Sequence, residues 1–189
     1  PSSRRLGEEH ALIELEIDSI RVGLRHYRRV VVLKEKDAQR FLPIWIGSDV
    51  ADAIAFRLQD VIAPRPLTHD LVMTMIAELG GTVTSVAIND LKDDTFYAVV
   101  RVEQDGRTLE IDSRSSDAIA IAVRAEVPIF VAEHVLERAA VKLDEDGETI
   151  VGAGGETTTP ATAEELEKLS AFRDFVAELD LDDLGSRAE

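Results

Sequence analysis

The sequence predicts an α+β domain, a mixed and largely antiparallel β-sheet packed with helices, followed by an acidic helical tail. Three observations predict it. Short runs with apolar residues at every second position recur, and two of them are separated by Asp105-Gly106, a strong hairpin signal. Other segments repeat their apolar residues with helical period and open on Ser, Thr or Asp. The composition then changes at Asp144, since 14 acidic but only 3 basic residues occupy 144–189. A single compact domain is therefore expected over 11–143, a flexible acidic, Gly/Thr-rich linker over 144–163, and an amphipathic helix with an acidic tail over 164–184.

The elements follow in order. Residues 11–22 mix Leu12, Ile13, Leu15, Ile17 and Ile20 with acids in near alternation, which reads as a strand. Val30-Val31-Val32-Leu33 is a strand buried on both faces, reached through a short connector at 23–28. A third strand covers 40–46, where Pro43 implies an edge or an irregularity. Gly47 ends it, and Ser48 or Asp49 is the expected cap of a helix over 50–59 with Ile54 and Leu58 on one face. Pro64 and Pro66 forbid a helix between 63 and 66. Thr68 is the expected cap of the next helix, whose stripe is Leu71, Val72, Met75, Ile76 and Leu79, and Gly80-Gly81 stops it.

A strand meander follows over 82–91, 95–102 and 108–111, turning at Lys92-Asp93-Asp94 and at Asp105-Gly106. It delivers the chain into a charged corner, Asp112-Ser113-Arg114-Ser115-Ser116-Asp117, and then into the apolar run Ala118-Ile119-Ala120-Ile121-Ala122-Val123. A helix this apolar must be buried, with Ser115 or Ser116 as cap and Asp117 in the first turn, where the helix dipole favours an anion. Residues 128–131 form a short strand and 133–140 a short helix. In the tail, Leu166, Leu169, Phe172 and Val176 share one helical face that needs a partner surface, on the body or on another protein.

The formal net charge of −16 argues against a nonspecific nucleic-acid coat, which needs basic surface to displace counterions. Most of that acidity lies in the tail, so the body can still carry a local basic patch. The chain has no cysteine, which removes disulfides, thiolate metal sites and thiol nucleophiles. No apolar run approaches the roughly 18 residues of a membrane span, and none follows Pro1 to Arg5 as a signal peptide would require. A cytoplasmic protein that touches no membrane is expected.

Three helix starts collect polar residues: Gly47-Ser48-Asp49, Arg65-Pro66-Leu67-Thr68-His69-Asp70, and the corner at 112–117. Helix starts offer unpaired N–H groups suited to phosphate. Phosphodiester hydrolysis needs charge neutralisation, an activated water and a proton for the leaving oxygen. Arg65 and Arg114 suit a phosphate clamp. His69 stands beside a proline-fixed loop and a carboxylate, which suits an acid/base. Asp112 and Asp117, with Asp70, offer oxygen ligands to a hard divalent cation, Mg²⁺ or Mn²⁺.

Plainer readings stand beside these. Asp117 can be only a first-turn acid, His69 a hydrogen-bonded core residue, Arg65 a structural clamp and Ser48-Asp49 a cap. Trp45, Phe96 and Tyr97 are expected in the core. His10, His26 and His134 show no partner pattern. There is no Gly-rich phosphate loop and no Gly-x-Ser-x-Gly elbow.

Five segments in order resemble the bifunctional nuclease domain family: Leu42-Pro43-Ile44-Trp45-Ile46-Gly47, Arg65-Pro66-Leu67-Thr68-His69-Asp70-Leu71, Thr95-Phe96-Tyr97-Ala98, Ser113-Arg114-Ser115-Ser116-Asp117-Ala118-Ile119-Ala120 and Pro128-Ile129-Phe130-Val131. They span most of 12–140. The resemblance implies nuclease activity on DNA and RNA, nucleic acid as the substrate, and assembly into a homodimer or higher homo-oligomer. It carries over Arg65, Thr68, His69, Asp70, Arg114, Ser116 and Asp117. Combined with the chemistry above, it gives His69, Asp70 and Asp117 as catalytic, Arg65, Thr68, Arg114 and Ser116 as phosphate-binding, and Asp70, Asp112 and Asp117 as metal ligands. Two departures stand out. Ser115 replaces the family's usual Pro, and Val50 stands where the family often has Glu. The second departure keeps a non-catalytic oligomeric binding or regulatory module as the alternative.

Overall fold

The computed structural model describes residues 11–22, 29–36 and 38–141, with two short segments at 150–151 and 157–158. Two antiparallel meanders supply most of the sheet. The first is β1 (Leu12–Val22), β2 (Arg29–Glu35) and β3 (Phe41–Ile46), and the second is β4 (Thr82–Lys92), β5 (Thr95–Gln104) and β6 (Arg107–Arg114). Helices α1 (Ser48–Leu58) and α2 (Thr68–Glu78) come between them in sequence. After the second meander come α3 (Ser115–Ala125), β7 (Ile129–Ala132) and α4 (Glu133–Ala139). β7 joins the halves, antiparallel to β1 and parallel to β4, so the seven-stranded order is β3-β2-β1-β7-β4-β5-β6. The fold is the expected α+β type with a mixed, largely antiparallel sheet.

Local chemistry accounts for these elements. Val31 and Leu33 of β2 enter the main core, while Val30 and Val32 meet Phe41 and Val141 on the other face. Pro43 sits on β3, an edge strand, where a missing N–H costs least. Both tight hairpins have left-handed central residues, Asp93 and Asp94 at φ 46° and 58°, and Asp105 and Gly106 at φ 50° and 70°. These are the conformations that type I′ turns require, and they match the twist of the flanking strands. Residues 118–122 of α3 are buried, and their alanines let α1 and α2 pack closely against it.

Several local expectations are corrected. No helix takes a side-chain cap from the residue expected: Gly47, Leu67 and Arg114 hold the cap positions, and Ser48, Thr68 and Ser115 already lie inside their helices. β6 runs through the expected corner as far as Arg114, because Tyr97 to Gln104 of β5 keep pairing with it. Of the expected α2 stripe only Val72 and Ile76 pack on the core, joined by Met73 from outside the stripe, while Leu71, Met75 and Leu79 are exposed. Leu58, Trp45 and Tyr97 are exposed too, since no described element covers the end of α1 or those strand faces.

Among the described residues no helix is long and apolar enough to cross a membrane. Beyond residue 141 the structure describes only β8 (Ile150–Val151), paired antiparallel with β9 (Thr157–Thr158). The rest of the expected linker, all of the expected tail helix, the connector at 23–28, His10 and His26 lie outside the described residues.

Candidate functional site

A cleft of about 320 Å³ opens where the first turns of three helices meet. Asp49, Val50, Asp52, Ala53 and Phe56 line it from α1, Leu67, Thr68 and His69 from the start of α2, and Arg114 and Asp117 from the start of α3. Each helix start carries part of a positive half-charge, so three together favour an anion between them. The same wall carries carboxylates, which temper that field.

At its centre His69 Nε2 lies 3.2 Å from Asp117 Oδ1, joining two motifs that are 48 residues apart. Arg114 grips the same carboxylate twice, Nε to Oδ2 at 2.6 Å and Nη2 to Oδ1 at 3.0 Å. Burial alone would raise the Asp117 carboxyl, but the hydrogen bonds from Arg114 and His69 outweigh it and hold the group below its ordinary value. Asp117 is therefore a carboxylate that only accepts, and the proton in its bond to His69 sits on Nε2. His69 Nδ1 is buried and has no partner among the described residues. His69 is 7% exposed, while the Arg114 side chain is 75% exposed at the rim. Of the Arg114 donors, Nη1 carries no hydrogen bond to a described residue.

The other predicted residues sit elsewhere. Asp70 turns away from the cleft: Oδ1 accepts from Arg124 Nε at 2.6 Å and Oδ2 from the Leu67 N–H at 2.7 Å. Its carboxyl would be raised by burial, but those two donors pull it below the ordinary value. Asp112 is exposed on β6, Arg65 is exposed in the loop before α2, and Ser116 is buried in the first turn of α3; none of the three lines the cleft. The structure thus brings together Thr68, His69, Arg114 and Asp117, and leaves Arg65, Asp70, Asp112 and Ser116 outside.

The predicted ligand set fits a divalent cation poorly. Both oxygens of Asp70 and both of Asp117 are taken by cationic or N–H donors, and Asp112 is apart from them. Among the described residues no group of three or more His, Asp or Glu converges on a cation position.

Two features were missed from sequence. One is the α1 face beyond the expected Ser48-Asp49 corner, which brings Asp52, Ala53 and Phe56 to the cleft; Ser48 donates to Asp49 at 3.1 Å and Arg29 pairs with Asp52 at 3.3 Å. The other is Arg124, 6% exposed by its side chain. Besides Asp70 it reaches Ala120 O of α3 at 3.0 Å and Ala53 O of α1 at 3.2 Å, so one guanidinium ties all three cleft helices. The available signal was an arginine in an otherwise apolar helix, which burial obliges to find partners.

Residues 31–144 match the family model of the Bifunctional nuclease domain. An uncharacterized protein of Mycobacterium tuberculosis is 40% identical over 164 residues, covering 87% of this chain and 94% of the relative. Bifunctional nuclease 1 of Oryza sativa subsp. japonica is 29% identical over 109 residues, covering 56% of this chain and 33% of the relative. Bifunctional nuclease 1 of Arabidopsis thaliana is 28% identical over 137 residues, covering 70% of this chain and 40% of the relative.

Proposed function

The chain belongs to the bifunctional nuclease domain family, and from that premise we propose that it hydrolyses phosphodiester bonds in DNA or RNA at the cleft between α1, α2 and α3. The observation that carries the proposal is the His69–Asp117 contact, which unites the two strongest motifs on the wall of a cleft built from helix starts.

In this reading a phosphate enters at the rim against Arg114, whose Nη1 supplies the donor, and against the exposed Thr68 at the start of α2. As water attacks phosphorus, negative charge grows on the non-bridging oxygens, and the fixed guanidinium stabilises it without having to reorganise. Asp117, partly open to the cleft, accepts the proton of the attacking water at the remaining acceptor site of Oδ2. As the new bond to phosphorus forms, the bond to the leaving oxygen breaks, and that oxygen takes its proton from solvent. His69 donates to Asp117 and holds it in place, and with Nδ1 enclosed it serves as the orienting group of the pair. No step is assigned to a divalent cation, because the predicted ligand set does not converge.

A second reading, the non-catalytic oligomeric binding or regulatory module, is favoured by two observations. Three hydrogen bonds from Arg114 and His69 already occupy most of the acceptor capacity of Asp117, and Leu71, Met75 and Leu79 leave an apolar row on the exposed side of α2. One experiment separates the two. The full chain and Asp117→Asn are incubated with single-stranded DNA and RNA, in Mg²⁺, in Mn²⁺ and in chelator. Hydrolysis by the wild type that is lost in Asp117→Asn supports the nuclease. Equal hydrolysis by both moves the reaction away from this cleft. No hydrolysis under any condition, with a concentration-dependent mass in light scattering, supports the module.

A further inference from the structure

We propose that Phe56 is the platform on which one unpaired base of the substrate stacks, so that the cleft reads a nucleotide rather than a bare phosphate. The inference rests on the nuclease reading above. Asp49, Asp52, Ala53 and Phe56 are spaced i, i+3, i+4 and i+7, so α1 turns a single face to the cleft. That face changes character along its length. Its first turn is acidic, and its later turn is apolar and ends in an aromatic ring.

Phe56 is 41% exposed, whereas the neighbouring Ala51, Ala53 and Ile54 are buried. The helix therefore spends an aromatic residue on the cleft and not on the core. Of the two aromatic rings lining the cleft, His69 is buried and held by Asp117, which leaves Phe56 as the exposed one; Trp45 and Tyr97 are about as exposed but do not line it. The same cavity holds Thr68 and Arg114, the groups suited to phosphate. An aromatic face and a phosphate-binding rim within one cleft match the two chemical halves of a nucleotide.

Size narrows the ligand further. A volume of about 320 Å³ is at the low end for small-molecule sites and takes one nucleotide unit. A base still held in a duplex cannot present its face to Phe56 without leaving the stack. Stacking on a phenyl ring tolerates every base, because each has a π-face. The cleft is therefore indifferent to base identity and selective for unpaired strands.

The test compares wild type, Phe56→Ala, Phe56→Leu and Phe56→Trp. With a single-stranded oligonucleotide, Phe56→Ala and Phe56→Leu are expected to raise KM roughly 10- to 100-fold with kcat little changed, and Phe56→Trp to restore it. Phe56→Leu keeps apolar bulk, so its loss reports on the ring, and thermal melts of all four exclude unfolding. Binding is read separately with adenosine 5′-monophosphate and ribose 5-phosphate. The wild type should prefer the nucleotide, the preference should vanish in Phe56→Leu, and the introduced tryptophan should be quenched by the nucleotide alone. Hydrolysis with unchanged KM in Phe56→Leu overturns the stacking role and leaves the nuclease reading intact. A preference for the nucleotide over ribose 5-phosphate that depends on the ring, in a protein that hydrolyses nothing, overturns the nuclease reading and leaves the stacking role standing. Equal binding of the two phosphates by the wild type overturns the stacking role.

Discussion

Arg124, in the last turn of α3, reaches Asp70, in the first turn of α2, with Nε 2.6 Å from Oδ1. The same guanidinium holds carbonyls of α1 and α3, and the same carboxylate holds the first N–H of the α2 cap. The cleft is shaped by this bond, although neither residue lines it.

Breaking that pair should loosen the whole site. Arg124→Met removes the buried partner and is expected to cost about 3 kcal/mol in urea unfolding. Asp70→Asn should cost less, since the Asp70 side chain is 39% exposed and keeps water as a partner. Because both variants remove one contact, the double variant should cost clearly less than the sum of the singles. Strict additivity would show that the two residues are not coupled.

The acid limb of stability follows from the carboxylates. Asp70 and Asp117 titrate below their ordinary value, and so does Glu35 through its hydrogen bond from Arg40. Groups with depressed values contribute stability at every pH above the unfolded carboxyl range and lose it as pH falls through the folded values. Stability should therefore be level from roughly pH 5 to 8 and fall below about pH 4. The gap between wild type and Asp70→Asn should close over that same acidic range. A gap that persists at pH 2 would remove the ionised carboxylate as its source.

The two arginines should behave differently. Arg114→Ala takes the phosphate donor from the rim and should lower hydrolysis roughly 100-fold. Arg65→Ala removes an exposed charge outside the cleft and should weaken nucleic-acid binding mildly, with a shallower salt dependence. An Arg65→Ala loss equal to that of Arg114→Ala would place the phosphate outside the cleft.

His69 and Asp117 should prove coupled. Asp117→Asn is expected to lower hydrolysis by at least about 100-fold, and His69→Ala by less, because His69 acts by holding Asp117. The double variant His69→Ala, Asp117→Asn should be no worse than Asp117→Asn. Retained activity in the double variant would remove both from the reaction.

Gly81 tests packing beneath α2. A Cβ there would sit 2.8 Å from Val102 Cγ1 and 3.1 Å from Ile76 Cγ2. Valine cannot rotate out of the way cheaply, so Gly81→Ala should destabilise by about 1–3 kcal/mol. A melting temperature equal to wild type would show that α2 shifts freely over the sheet.

The sequence was most informative where a rule acts over a few residues. The Asp-Asp and Asp-Gly turns, the alternation in β4 and β5 and the apolar helix at 118–122 are local signals, and each predicted its element. It was silent where a partner is distant. Nothing in Ile129–Ala132 says that this strand inserts between β1 and β4. At the site, His69 and Asp117 were named from their motifs and do meet. Asp70 was grouped with them, yet adjacent helical residues point about 100° apart, so Asp70 faces Arg124 while His69 faces the cleft. Trp45 and Tyr97 were assigned to the core because strands bury aromatics on average, and the coverage of a particular strand face cannot be read from the strand itself.

The position of β7 also governs how the chain is made. Each meander closes through neighbouring residues, but the seam between β1 and β4 stays open until residues 129–132 leave the ribosome. Until then a nascent chain carries two bare inner strand edges, and any second nascent chain offers the same edges in return. The period of greatest aggregation risk is therefore translation of the second meander and α3, and it ends when one four-residue strand slots between the halves.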